Sequence, residues 1–166
     1  LKESFDLMAS QLVMYEEEFH RINAVCDRLT KDANAKVVFL VDKNGQLISA
    51  AGQTNNIDTT SLASLTAGNV AAMGGLAKLI GENEFPNQFH EGAKDSLYMT
   101  LVGGRVVLVV IFDNRTSLGL VRLRIKKASD ELEKIFAALA ARSAAPGAGS
   151  PFAEISDADI DNLFSE

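Results

Sequence analysis

"AKVVFLVDKNGQLISAAG", Ala35 to Gly52, holds two short β-rich runs around an Asn-Gly pair. Val37 to Val41 is almost wholly branched or aromatic, the composition of a strand. Asn44-Gly45 supplies residues that tolerate positive φ, a strong hairpin signal. Leu47 to Ala51 then returns as the second strand. A hairpin is therefore the first unit of the fold to be placed.

Upstream, Leu12, Tyr15, Phe19, Ile22, Cys26 and Leu29 recur every three or four residues. That spacing predicts one apolar stripe on a helix, with Glu16, Glu17, Glu18 and Arg21 mostly outside it. Downstream, Asp58 or Thr59 caps a long helix running to about Gly81. "NEFPNQFHEGAKDSLYMTLVGGRVVLVVIFDN" reads as three strands, with Gly103-Gly104 as the tight turn between the last two. Arg105 to Phe112 is so uniformly apolar that it predicts a central strand covered on both faces. Val121, Ile125, Ala128, Leu132, Ile135 and Leu139 form a last helical stripe, although its beginning, "LVRLRIK", also alternates like a strand. The expected order is α–β–β–α–β–β–β–α, an α+β fold with a five-stranded antiparallel sheet.

Composition limits the function classes. Of 166 residues, 47% are apolar, enough for a real core, and the formal net charge is −6. Five of those six negative charges sit in residues 150–166, so the rest of the chain is nearly neutral and offers no basic field to nucleic acid. A lone Cys26 excludes an intrachain disulfide, and no apolar run is long enough for a membrane helix. Together these predict a cytoplasmic protein without membrane insertion. By composition, residues 1–10 are a leader or extension, 11–142 the domain, 143–149 a flexible Ser/Ala/Pro/Gly linker and 150–166 an acidic segment.

No catalytic constellation stands out. "GNVAAMGGLAK" lacks the phosphate-loop pattern and lies within the central helix. His20 and His90 have no metal-ligand spacing, and Cys26 falls on an apolar stripe, where a thiol is a small hydrophobe. Asp42, Asp95 and Asp113 flank turns. Arg105, Arg115, Arg122 and Arg124 read as solvated or strand-edge side chains rather than catalytic fingers. No cofactor and no metal are expected, and an enzyme built on His20, Cys26 or His90 is disfavoured.

The central helix carries the strongest interaction signal. At 100° per residue, Leu62, Leu65, Met73, Leu76, Leu79 and Ile80 fall on one side and are expected in the core. Opposite them lie Ser64, Ala67, Gly68, Ala71, Gly74, Gly75 and Lys78, a flat face of small residues. Interior glycines destabilise a helix, so this face predicts close approach by another surface. That surface is a partner protein, a second subunit, or a neighbouring helix of the same domain.

The acidic segment "SPFAEISDADIDNLFSE" is more than solvating charge. Ser156 can cap a short helix with Asp159 three residues on, and Ile160, Leu163 and Phe164 share one stripe. Phe152 and Ile155 add anchors. A helix of roughly two turns is marginal alone, so the pattern predicts docking into a groove. That groove belongs to this domain, to a second copy or to a partner.

The element order and the "VVFLVDKNGQLISAAG" hairpin resemble the roadblock (dynein light chain) family. Gln11 to about Leu132, and again the segment from Ser150, are similar to its bacterial MglB-type members. Residues 1–7 and the Ala-rich Ala137–Ala145 depart from the pattern. The resemblance implies a homodimer formed through sheets and central helices, on which two protomers engage one GTP-bound, Ras-like small GTPase of the MglA type. It implies GTPase activation in cell polarity and gliding motility, with concentration at a cell pole through partners. It further implies action without an arginine finger, by remodelling the GTPase switch regions. The C-terminal segment is expected to regulate the GTPase, nucleotide exchange included. The competing expectation is a non-catalytic roadblock scaffold that binds a GTPase or another roadblock chain.

Overall fold

The computed structural model describes residues 15–144. Its elements are α1 (Glu16–Asp32), β1 (Val37–Asp42), β2 (Leu47–Gly52), α2 (Thr59–Leu79), β3 (Asn87–Glu91), β4 (Ser96–Val102), β5 (Val106–Phe112) and α3 (Leu118–Ala144). The five strands form one antiparallel sheet in the order β2-β1-β5-β4-β3. This is the α+β order read from the sequence. "LVRLRIK" belongs to α3 throughout. That helix also includes Ser143 and Ala144, so the linker expected from residue 143 does not begin there.

β1 and β5 pair at the centre, Val37 opposite Ile111 through Asp42 opposite Val106. Side chains of period two then feed two cores. Val38, Leu40, Val106, Leu108 and Val110 face α1 and α3. Val37, Phe39, Val41, Val107 and Val109 face α2. The whole expected α3 stripe is buried: Val121, Ile125, Ala128, Leu132, Ile135 and Leu139.

The turns follow residue chemistry. Gly103 and Gly104 both have positive φ, 60° and 69°, and Arg105 N–H bonds back to Val102 O at 3.2 Å. At the first hairpin only Gly45 is left-handed, with φ 89°. Asp42 Oδ1 accepts from the backbone N–H groups of Asn44 and Gln46, both at 2.9 Å, and the register shifts between Leu40 and Val41. The loop is therefore an Asx-stapled turn with a bulge rather than a two-residue Asn-Gly turn.

On α1 the expected stripe needs correction. Ile22, Val25, Cys26 and Leu29 are buried, but Phe19 is exposed and Glu18, expected outside, is only 7% exposed. Arg142 of α3 explains the exchange. Its Nη1 donates to Glu18 Oε1 at 2.8 Å, and its guanidinium lies 4.0 Å above the Tyr15 ring. A carboxylate tolerates that burial because a cation closes over it.

Candidate interaction surface on the central helix

α2 starts and stops by recognisable chemistry. Asp58 accepts from Ser61 N–H at 3.1 Å, and from Ser61 Oγ at 2.6 Å, which holds its carboxyl below the usual range. At the other end Gly81 adopts φ 85°, and the N–H groups of Gly81 and Glu82 return to Lys78 O and Ala77 O.

The face that α2 lays on the sheet is not the expected one. Ala63, Thr66 and Ala77 are the buried residues, with Val70 and Leu62 packed partly against Val37, Phe39, Val41 and Met99. Of the six residues assigned to the core, only Leu62 and Met73 are half-buried. Leu65 is 71% exposed and Leu79 84%, and Leu76 and Ile80 are exposed beside them. The helix is rotated by roughly a quarter turn, about one residue's worth, relative to the sequence expectation. Small side chains bring α2 close to the sheet, and the bulky aliphatic row is turned outward.

The small-residue face is also open. Ser64, Gly68, Ala71, Gly75 and Lys78 are exposed, and Ala67 and Gly74 half-buried. A Cβ placed on Gly68, Gly74 or Gly75 would meet nothing within 4 Å, so packing inside the described domain does not require glycine there. Ala67, Ala71, Gly74, Gly75 and Lys78 line a groove of about 350 Å³, closed on its far side by the loop leading to β3. Lys43, from the first hairpin, and Glu84, from that loop, approach to 4.0 Å across it. Cations at this groove are Lys43 and Lys78, and among the described residues no arginine lines it.

Residues weighed for catalysis are scattered. Cys26 lies on the buried face of α1, its thiol pushed up to about 11 by desolvation, with a smaller opposing effect from Ser49. His20 lies on the exposed side of α1 near Glu16, and His90 lies on the edge strand β3. Arg115 is held by Asp113 at 3.0 Å, while Arg122 and Arg124 belong to α3 across the sheet. Among the described residues no group of three or more His, Cys, Asp or Glu could hold a metal. Phe152, Ile155, Ile160, Leu163 and Phe164 lie outside the described residues.

Comparison with known proteins decides the family. The Roadblock/LC7 domain matches residues 21–112. The chain belongs to the Roadblock/LC7 family. Within it the chain groups with the MglB proteins. Myxococcus xanthus MglB is 93% identical over 77% of this chain and 96% of that one, with a TM-score of 0.74. The gliding protein MglB of Thermus thermophilus is 32% identical over 76% and 96%, with a TM-score of 0.72. An MglB described as having a tetrameric arrangement is 30% identical over 77% and 96%, TM-score 0.73. An uncharacterised protein of Methanocaldococcus jannaschii is 27% identical over 69% of this chain and 99% of its own length.

In the single chain, α2 leaves two adjacent faces uncovered. The aliphatic row escaped the sequence reading because it was assigned to the core. The signal was available: apart from Lys78, residues 59–79 contain no charged residue, so solvent was a poor candidate for any side of this helix.

Proposed function

We propose that this chain is a GTPase-activating partner of a bacterial Ras-like small GTPase of the MglA type, in cell polarity and gliding motility. It works in the cytoplasm as a homodimer, and it is a regulator rather than an enzyme with its own substrate. The observation that carries the reading is the pair of uncovered faces on α2. Leu65, Leu76, Leu79 and Ile80 form the face for the second copy. Ser64, Ala67, Gly68, Ala71, Gly74, Gly75 and Lys78 form the face for the GTPase. Solved MglB relatives at 93% and 32% identity support the partner class.

Activation proceeds without an arginine finger. The groove offers lysines and bare backbone, and its glycines let a switch segment lie close to the helix. By binding the competent switch conformation better than the resting one, the roadblock pair draws the GTPase's own Arg and Gln toward the γ-phosphate. The C-terminal segment acts on the same GTPase: removing residues 150–166 leaves the dimer intact and changes GTPase affinity or turnover. Unchanged affinity together with unchanged turnover contradicts that role.

Ala71→Arg with Gly75→Arg tests the contact face. Both positions are exposed, so the domain folds and dimerises, yet two long cations stand where the surfaces must meet. Pull-down with the GTP-loaded GTPase is expected to fail, alongside an unchanged circular dichroism spectrum. Retained binding by the folded variant removes this face from the proposal. Normal binding by the wild type without faster hydrolysis favours the scaffold alternative.

A further inference from the structure

Across the sheet from α2, beside α3 and over β3 and β4, lies a second groove of about 620 Å³. Its floor is Tyr98, Thr100 and Asn87, and its wall is Arg122, Leu123 and Lys126. Leu123 is 62% exposed, a large aliphatic side chain on the outer rim. Arg122 and Lys126 are one helical turn apart on the same face, a repulsive like-charge pair. Neither makes an ion pair with a described residue, and the one acid on the groove's lining is Asp130. A ligand matching this groove is apolar, acidic, and spaced by one helical turn.

We propose that the occupant is the chain's own C-terminal segment, residues 150–166. Its predicted stripe of Ile160, Leu163 and Phe164 is flanked by Asp157 and Asp161, also one turn apart. Laid along α3, Asp157 and Asp161 face Arg122 and Lys126, and the stripe covers Leu123 and Tyr98. Charge complementarity favours this groove, with two cations one turn apart, over the α2 face, where Lys43 already approaches Glu84 and Lys78 stands alone. Reach also suffices. Lys126 lies roughly 27 Å back along the helix from Ala144. Residues 145–156 span up to roughly 40 Å when extended. The segment thus has a resting seat on its own domain, on the sheet face opposite the GTPase groove, and can leave it for a partner. This inference stands apart from the GTPase proposal, because its groove and its occupant belong to one chain.

The test uses the full chain with Ser165→Cys carrying a spin label. Buried Cys26, its thiol raised to about 11, leaves the new cysteine as the reactive one. In isotope-labelled protein, the amide resonances of Gly119, Leu123 and Lys126 are expected to broaden, and those of Leu65 and Leu79 to stay sharp. Arg122→Glu with Lys126→Glu abolishes the broadening, and adding Asp157→Lys with Asp161→Lys restores it. No broadening, broadening on the α2 face, or indifference to the charge reversal overturns the proposal. So does broadening that persists when spin-labelled chains without isotope are mixed with isotope-labelled chains without the spin label, since the occupant is then a second copy's segment.

Discussion

Gly74 and Gly75 sit side by side in α2, and an added methyl would meet nothing within 4 Å at either. A helix-interior Gly is less stable than Ala by about 1 kcal/mol. Gly74→Ala with Gly75→Ala is therefore expected to raise the stability of the isolated protein by up to about 2 kcal/mol, read by denaturant unfolding. The same pair weakens GTPase binding, because the methyls hold the partner backbone away. Greater stability with undiminished binding contradicts the role given to these glycines. Other single residues show where sequence stops being informative. Glu18 is buried because Arg142, 124 positions away, closes over it. Nothing in the local stripe encodes that, or the exposure of Phe19 beside it. Asp58, by contrast, was legible as a cap because its partner Ser61 is three residues distant.

Every helix and strand among the described residues was expected from local pattern, but the start of α3 was not, because its first turns alternate like a strand. Nor was the orientation of α2. Periodicity reports which residues avoid water; it does not report whether their cover is the chain's own sheet or another molecule. Leu65, Leu76, Leu79 and Ile80 look like core residues and stand in the open, while Ala63, Thr66 and Ala77 touch the sheet. The proposed cover for this aliphatic row is a second copy of the chain. Leu79→Asp places a charge in the middle of that apposition, and Leu79 is 84% exposed in the single chain, so the fold is spared. Light scattering after size exclusion is expected to show a monomer for Leu79→Asp and a dimer for the wild type. A dimer of unchanged mass moves the subunit interface elsewhere.

At the scale of the whole molecule, the sheet separates two working surfaces. One side carries the thick core under α1 and α3 and, beyond it, the groove flanked by Arg122 and Lys126. The other carries α2, held by a thin layer of small residues, with both its aliphatic row and its glycine groove outward. The central pairing of β1 with β5 joins segments about seventy residues apart, yet the apolar run of β5 announced its place. The small-residue face was legible for the same reason, since its composition is wrong for both core and solvent. What remained hidden was the rotation of α2 over the sheet, on which its proposed division between two partners depends. The most direct measurement is single-turnover GTP hydrolysis by the Ras-like GTPase, with wild-type chain and with Ala71→Arg/Gly75→Arg at equal, saturating concentration. The account predicts acceleration by the wild type and hydrolysis at the unassisted rate with the folded, dimeric variant. Equal acceleration by both would place the GTPase contact off α2 and contradict it.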